Sequence, residues 1–361
     1  MKISRLMPML NIHGRTIYDE EKEALYCNWT CSGFTAGVTG TYLKIRVTAE
    51  SDQLPGMPGM PVPPADWPCV GAAKEDELIF RHECRSDDEW LTVWQSGSTE
   101  TAEIRILKLS ENARGKLGIL EAETDGSFFP VHSSKPVLEI VGDSITCGFG
   151  NEASNNSLEF HTSEENGWEA YGPRAARELG YEFRMVCESG IMAVTPEHPL
   201  FPMHTMDDIY EYTDELYEKK HGREPQKWNF AEHPSDIVVI NLGTNDSNPL
   251  RFYKDFGEIP GMEIWFRDRY KEFIRKVRKA NGADTLIVCA LGSMDYYLYH
   301  RILEAVDELI AETGDQKLCC FEFIPINVML EGYGAMGHPS AKTHVRMGKE
   351  LAYFLRSKVN Q

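Results

Sequence analysis

The chain has 361 residues, of which 42% are hydrophobic and 26% are charged, and this composition is typical of a folded globular protein. Its 56 acidic and 37 basic side chains give a formal net charge of -19, which repels nucleic acid phosphates and anionic lipids, so we expect neither nucleic acid nor membrane as a partner. The length predicts two domains, although one large domain stays possible, and the composition leaves the oligomeric state open.

The beginning of the chain lacks the features of a targeting segment. Residues 1–11 hold two basic side chains but no long apolar run before a small-residue cleavage site, so we expect a cytoplasmic protein unless a signal peptide has been removed. The nine cysteines are scattered along the chain, which favours reduced thiols. Cys27 and Cys31 have the spacing of half a zinc site, but no second pair completes it, and we expect no metal and no cofactor.

In the first 130 residues, apolar and polar side chains alternate in short runs. The clearest runs are residues 25–29, 33–38, 42–47, 90–94 and 102–107. This alternation predicts antiparallel strands with one solvated face, and many short strands of this kind predict a β-sandwich. Residues 54–68 contain six prolines and two glycines and are predicted to form a surface loop, either a functional loop or a plain connector.

From about residue 131 the strands become continuous apolar runs separated by longer helical segments. The predicted strands are Val137–Val141, Glu182–Cys187, Ile237–Leu242, Thr285–Leu291 and Cys319–Ile324, and the predicted helices are Gly167–Leu179, Trp265–Ala280, Tyr297–Thr313 and Ser340–Ser357. This order predicts an α/β domain with a parallel sheet covered by helices on both faces. We therefore predict a β-sandwich domain over residues 1–130 and an α/β domain over residues 131–361.

Three polar turns follow predicted strands of the α/β domain, at the edge where such sheets bind ligands. In the first turn Ser144 can be exposed as a nucleophile at the start of a helix, or can simply cap that helix. In the second turn Gly190 permits a backbone that aims an N–H group into a site. In the third turn the amide of Asn245 can donate to an oxyanion, although a plain turn uses asparagine equally well.

A histidine, His338, precedes the C-terminal helix. Pro339 lies at the start of that helix, where its missing N–H costs nothing, so the loop that carries His338 is short and stiff. A lone histidine is usually structural. The order Ser144, Gly190, Asn245, His338, each at or beside a predicted strand end, gives it a catalytic interpretation.

This set resembles the SGNH hydrolase family, also called GDSL-type, whose motifs match residues 142–144, Gly190, residues 243–246 and His338. The resemblance implies a flavodoxin-like, three-layer α/β fold. It also implies that Ser144 is the nucleophile and His338 its general base. The backbone N–H groups of Ser144 and Gly190 and the side chain of Asn245 would form the oxyanion hole for acyl transfer through an acyl-enzyme.

Residues 12–16, 28–34 and 40–43 narrow the resemblance to carbohydrate esterase family 2. This implies a jelly-roll β-sandwich accessory domain before the hydrolase domain. The implied activity is removal of acetyl groups from plant-derived manno-, xylo- or gluco-oligosaccharides. Two alternatives stay open: a lipase or thioesterase with the same catalytic set, and a carbohydrate-binding protein with an inactive hydrolase domain.

One position departs from the family pattern. The family usually places an aspartate three residues before the histidine, where this sequence has Ala335. We expect a Ser-His dyad in which a backbone carbonyl of the loop 332–337 accepts the second N–H of the histidine, with Glu331 as another candidate acceptor.

Three tryptophans of the second half lie outside the predicted strands and are candidate sugar platforms. Of Trp168, Trp228 and Trp265, we choose Trp265 as the substrate-binding residue, although each of them can instead pack in the core.

Overall fold

The computed structural model describes residues 1–53, 64–195, 197–198, 201–202, 204–255 and 261–359. Within it the chain divides into two compact units. The first comprises residues 1–135, 159–168 and 213–226, and the second comprises residues 136–158, 169–212 and 227–361. Segments 159–168 and 213–226 belong to the first unit although they follow residue 130, the predicted end of the first domain. Most of the predicted proline-rich loop, residues 54–63, lies outside the described residues.

The first unit contains a nine-stranded antiparallel sheet. Its elements are α1 (Ile3–Leu6), β1 (Asn11–His13), β2 (Ile17–Asp19), β3 (Ala24–Tyr26), β4 (Gly33–Glu50), β5 (Cys69–Lys74), β6 (Glu77–Glu83), β7 (Glu89–Lys108), β8 (Lys116–Glu123) and β9 (Ser127–Phe129). The strand order is β2-β3-β8-β4-β7-β5-β6, with β1 and β9 also paired to β4. Alternate side chains of the central strands are buried in one apolar cluster, which supplies the core of this unit.

Strands β4 and β7 are longer than the sequence predicted. Two predicted runs in each are joined into single strands of 18 and 20 residues. The two strands pair along most of this length, and a register shift between Gly40 and Tyr42 accommodates the polar residues 96–99 of β7. Residues 96–99 have no paired residue on β4, and the ladder resumes on either side of them, so a polar stretch that interrupts the apolar pattern can still lie within one strand as a bulge.

The second unit contains a five-stranded parallel sheet in the order β11-β10-β14-β15-β16. The remaining elements, of which α5 belongs to the first unit, are β10 (Val137–Gly142), α2 (Ser144–Cys147), α3 (Tyr171–Leu179), β11 (Glu182–Cys187), β12 (Glu197–His198), β13 (Phe201–Pro202), α4 (Met206–Ile209), α5 (Glu215–Lys220), β14 (Ile237–Asn241), α6 (Ser247–Asp255), α7 (Met262–Asn281), β15 (Leu286–Leu291), α8 (Tyr299–Thr313), β16 (Leu318–Glu322), α9 (Val328–Glu331) and α10 (Ala341–Val359).

Burial explains why this sheet is parallel and central. Every residue of β14 is buried, and so is every residue of β10 and β15 except the first, so both faces of the sheet are covered. Helix α10 packs on α3, and α7 packs on α8. The predicted parallel sheet is confirmed, and all five predicted strands are present to within two residues at each end. Among the described helices, none combines the length and the apolar character needed to cross a bilayer.

Candidate active site

Ser144 lies where strand β10 turns into helix α2. Strand β10 is the second strand of the sheet and lies between β11 and β14, so this turn emerges at the carboxyl edge of the sheet beside the turns that follow those two strands. The Asp143 carboxylate caps the helix by accepting the Ile145 backbone N–H at 3.0 Å. A Cβ atom at Gly142 would lie 1.9 Å from the Thr146 hydroxyl oxygen, so the tight turn requires glycine there. The Ser144 side chain is thus fixed at the sheet edge.

His338 contacts Ser144 through one ring nitrogen and the backbone through the other. The distance from His338 Nε2 to Ser144 Oγ is 2.9 Å, and Nδ1 lies 3.1 Å from the carbonyl oxygen of Ala335. A carbonyl can only accept, so Nδ1 carries the proton and donates it to this oxygen. The lone pair of Nε2 is then directed at the hydroxyl of Ser144. This is the arrangement that a general base for a serine nucleophile requires.

The acceptor for the second N–H is the carbonyl of Ala335, the residue that stands in place of the family aspartate. The predicted loop 332–337 therefore supplies the acceptor through its backbone. A single turn at residues 335–337, with Met336 at φ 51°, directs this carbonyl at the ring. A neutral carbonyl fixes the tautomer of His338 as a carboxylate would, but it stabilises the imidazolium form less strongly.

Glu331, the other candidate acceptor, forms contacts elsewhere. Its carboxylate accepts from the Arg346 guanidinium at 2.5 Å and from the Thr343 hydroxyl at 3.2 Å. Burial opposes ionisation, but the hydrogen bonds from Arg346 and its neighbours outweigh burial and lower the pKa of Glu331. Through these two hydrogen bonds Glu331 anchors the first half of helix α10.

Gly190 and Asn245 follow the two strands on either side of β10. Gly142 of β10 is in register with Cys187 of β11 and with Asn241 of β14, so the turns after all three strands begin at the same level. Gly190 has φ 81°, a left-handed conformation that glycine adopts freely. Asn245 Nδ2 donates to the carbonyl of Ile191 at 3.0 Å. This bond fixes the amide, and its second N–H can donate to a bound ligand.

The sequence profile of the GDSL-like lipase/acylhydrolase family matches residues 140–346, the segment that carries all four of these residues. The chain belongs to this family. Its motif residues were recognised from sequence, and the structure brings Ser144 and His338 into hydrogen-bond contact. Their catalytic roles, and those of Gly190 and Asn245, stay predictions.

Two relatives of this GDSL-like chain carry names that refer to carbohydrate. It is 31% identical over 275 residues to the cellulase/esterase CelE of Acetivibrio thermocellus, a match that covers 73% of this chain and 31% of that protein. It is 26% identical over 267 residues to an acetylxylan esterase/glucomannan deacetylase of Cellvibrio japonicus, covering 71% of this chain and 69% of that protein. The chain therefore spans less than a third of the length of CelE.

A solved structure shares the fold of the GDSL-like chain along nearly its whole length. It is a family two carbohydrate esterase from Clostridium thermocellum in complex with cellohexaose. The TM-score is 0.81 at 23% identity, covering 97% of this chain and 99% of that one. The resemblance to carbohydrate esterase family 2 is confirmed as a likeness of fold.

Asp246, the residue after Asn245, links two loops of the site. Its carboxylate is fully buried and accepts the backbone N–H groups of residues 193–195 and the Thr195 hydroxyl, at 2.7 to 3.2 Å. Asp246 thereby ties the segment after Gly190 to the turn that carries Asn245. From the sequence, Asp246 was recognised only as the last residue of the motif at residues 243–246. An acid directly beyond a buried strand, next to a candidate oxyanion donor, was the available signal.

The three candidate tryptophans differ in exposure. Trp168 is 1% exposed, which excludes it as a sugar platform. The ring of Trp228 is stacked on His233, with 4.4 Å between ring centroids. Trp265 is half-buried in the first turn of α7, where its backbone N–H donates to the carbonyl of Gly261 at 2.8 Å. The substrate-binding role of Trp265 stays a prediction.

Asp143 makes stability depend on pH. Burial, with a smaller contribution from the charge of Asp246, raises the pKa of Asp143 from 3.8 to about 7. Its Oδ2 atom has no hydrogen-bond partner among the described residues. Because the folded state binds this proton more tightly than the unfolded state, the ionised carboxylate destabilises the fold as the pH rises from about 4 to about 7.

We therefore expect Asp143→Asn to become more stable relative to the native chain as the pH rises. The native chain should lose about 2–3 kcal/mol more than the variant between pH 5 and pH 8, at 1.36 kcal/mol per pKa unit. Urea unfolding of both proteins at the two pH values measures the difference. The same stability difference at both pH values would show that Asp143 does not titrate in this range.

Proposed function

We propose that the chain is a serine esterase that removes acetyl groups from plant-derived manno-, xylo- or gluco-oligosaccharides. The observation that carries the proposal is the 2.9 Å contact between His338 Nε2 and Ser144 Oγ, with Nδ1 held by a carbonyl. The names of the two relatives support an acetylated carbohydrate as the substrate. We also propose that the sheet of the first unit is a jelly-roll accessory domain, with residues 131–361 as the catalytic domain.

The first half-reaction forms an acetyl-enzyme. Ser144 Oγ attacks the acetyl carbonyl carbon while His338 Nε2 takes the hydroxyl proton. The resulting oxyanion accepts hydrogen bonds from the backbone N–H groups of Ser144 and Gly190 and from the amide of Asn245. As the carbon–oxygen bond to the sugar breaks, the imidazolium of His338 returns its proton to the departing sugar oxygen, and the sugar hydroxyl is released.

The second half-reaction restores the enzyme. His338 Nε2 takes a proton from a water molecule as the water attacks the acetyl-enzyme, and the same donors stabilise the second oxyanion. Collapse of that intermediate breaks the bond to Ser144 Oγ, which recovers the proton from His338, and acetate leaves. Both steps need His338 protonated on Nδ1 at the start, and in a triad the wrong tautomer costs roughly 10⁴-fold. The carbonyl of Ala335 selects the required tautomer.

A substitution at Gly150 tests the role of the Ala335 carbonyl. The backbone oxygen of Gly150 accepts the Ala335 N–H at 3.0 Å, so the two residues are in direct contact. A Cβ atom at Gly150 would lie 2.3 Å from the Cβ atom of Ala335, which would displace the carbonyl from His338. We expect Gly150→Ala to lower kcat for nitrophenyl acetate about 10- to 100-fold with little change in KM.

The matched control is Gly180→Ala. Gly180 has φ 76° and Gly150 has φ 54°, so both changes strain the backbone, but a Cβ atom at Gly180 would meet no atom of the described residues within 4 Å. Gly180→Ala should keep the native kcat. Equal losses in the two variants would attribute the effect to general backbone strain and would remove the support for the Ala335 carbonyl.

The experiment that tests the function is acetate release from acetylated manno- and xylo-oligosaccharides by the purified chain, with a long-chain acyl ester as comparison. We expect acetate release from the sugars and little cleavage of the long-chain ester. Cleavage of the long-chain ester alone would replace this proposal with a lipase or thioesterase. Cleavage of neither would favour a carbohydrate-binding protein with an inactive hydrolase domain.

A further inference from the structure

A cluster of three metal-binding side chains lies in the first unit. The imidazole of His82, the thiol of Cys84 and the carboxylate of Glu89 each offer one ligand atom, and these atoms all lie within 4.8 Å of one another. The distance from His82 Nε2 to Glu89 Oε1 is 2.9 Å. None of the three takes part in the proposed ester hydrolysis, so that reaction does not explain why their ligand atoms lie together.

The local backbone geometry explains why these three side chains lie close together. His82 lies on β6, and Cys84 follows two residues later in extended chain, so both side chains point to the same side. The next residues turn, and Glu89 begins β7. The segment is held in place because Val70 of β5 pairs with His82 and the Cys84 backbone N–H donates to the carbonyl of Pro68 at 2.9 Å.

The exposure of the cluster suits a bound cation. Cys84 is fully buried, whereas the side chains of His82 and Glu89 are 37% and 29% exposed. The thiol thus lies at the base of the cluster, and the other two ligands lie at its open side. An ion can enter from that side, and a water molecule can complete its coordination.

The three ligand atoms together favour one kind of metal ion. One imidazole nitrogen, one thiolate sulfur and one carboxylate oxygen, with a solvent position, match the tetrahedral coordination of Zn²⁺. Bond lengths of about 2.0–2.3 Å put tetrahedral ligands roughly 3.3–3.7 Å apart, so His82 and Glu89 need to separate by less than 1 Å. Zinc binds the thiolate form of cysteine, so the cation displaces the thiol proton of Cys84 when it binds.

We propose that His82, Cys84 and Glu89 bind one zinc ion, with water as fourth ligand, as a structural site that fastens the turn between β6 and β7. Binding releases the thiol proton of Cys84 to solvent. From the sequence we expected no metal, because only Cys27 and Cys31 had a spacing that suggested one. The spacing H-x-C-x4-E is not a familiar zinc motif, and the cluster becomes visible only when the fold brings β6 and β7 together.

The test is metal binding by the full chain after removal of metal with a chelator. We expect one equivalent of Zn²⁺ by equilibrium dialysis, and Co²⁺ in its place should give a thiolate-to-cobalt charge-transfer band. Cys84→Ser should abolish the band, and His82→Ala and Glu89→Gln should weaken zinc binding at least tenfold. Zn²⁺ should also raise the Tm of the native chain but not of Cys84→Ser.

Two control variants each remove one other side chain that can bind metal. The first control is Glu83→Gln, because Glu83 lies between His82 and Cys84 in sequence but on the opposite side of the strand. The second control is Cys319→Ser, which removes a half-buried thiol of the second unit. Both should bind zinc like the native chain. No stoichiometric zinc in the native chain would overturn the proposal, as would zinc binding that persists in both His82→Ala and Cys84→Ser. His82 is partly exposed, so His82→Ala keeps the test valid if Cys84→Ser fails to fold.

Discussion

Replacing His338 with alanine is expected to lower kcat for acetyl ester hydrolysis by roughly 10⁴- to 10⁶-fold, as loss of the base does in other serine hydrolases. Without Nε2 at 2.9 Å, the hydroxyl proton of Ser144 loses the acceptor that the described part of the chain provides, and the departing sugar oxygen loses the same group as its proton donor. Ser144→Ala should cause a loss of similar size. The double variant should be no worse than either single variant, because the two residues act as one unit.

Steady-state kinetics of the three variants measure this effect, and His132→Gln, a change at an exposed histidine, provides the control. Retention of more than a few per cent of the native kcat in His338→Ala would contradict the assigned role. Additive losses in the double variant would show that the two side chains act separately.

The second large effect is expected at Asn245. Its amide is positioned by the hydrogen bond to the carbonyl of Ile191 and is free to donate its other N–H to an oxyanion that exists only during reaction. Asn245→Ala should therefore lower kcat by about 10²- to 10³-fold and leave KM nearly unchanged.

Asn248→Ala, three residues further along at an exposed position of α6, should have native kinetics. Thermal unfolding of both variants separates a loss of fold from a loss of oxyanion stabilisation. A rise in KM with native kcat in Asn245→Ala would instead assign Asn245 to ground-state binding of substrate.

The second half of the fold could be predicted from the sequence because parallel strands buried on both faces read as continuous apolar runs. Strand β11 was predicted with its observed bounds, Glu182–Cys187. The first half was predicted less well. Strands β4 and β7 each contain a polar or glycine-containing stretch that looks like a break in the sequence, but the pairing resumes beyond it through a register shift that leaves residues 96–99 of β7 unpaired with β4.

The motif residues of the candidate site could be recognised in the sequence, but the groups that position them could not. The side chain at position 335 carries no catalytic group, and the contribution of Ala335 is a carbonyl directed by the backbone conformation of residues 335–337. Asp246 acts on a segment about fifty residues away in sequence, residues 193–195. Contacts of this kind depend on tertiary structure, which a residue pattern does not specify.

Covalent labelling of the native chain with a fluorophosphonate, followed by mass spectrometry of the intact protein and its peptides, directly tests whether Ser144 is an activated nucleophile. We expect one adduct on Ser144 that is absent in Ser144→Ala and forms far more slowly in His338→Ala. No adduct on the native chain, or an adduct on another residue, would show that Ser144 is not a nucleophile activated by His338.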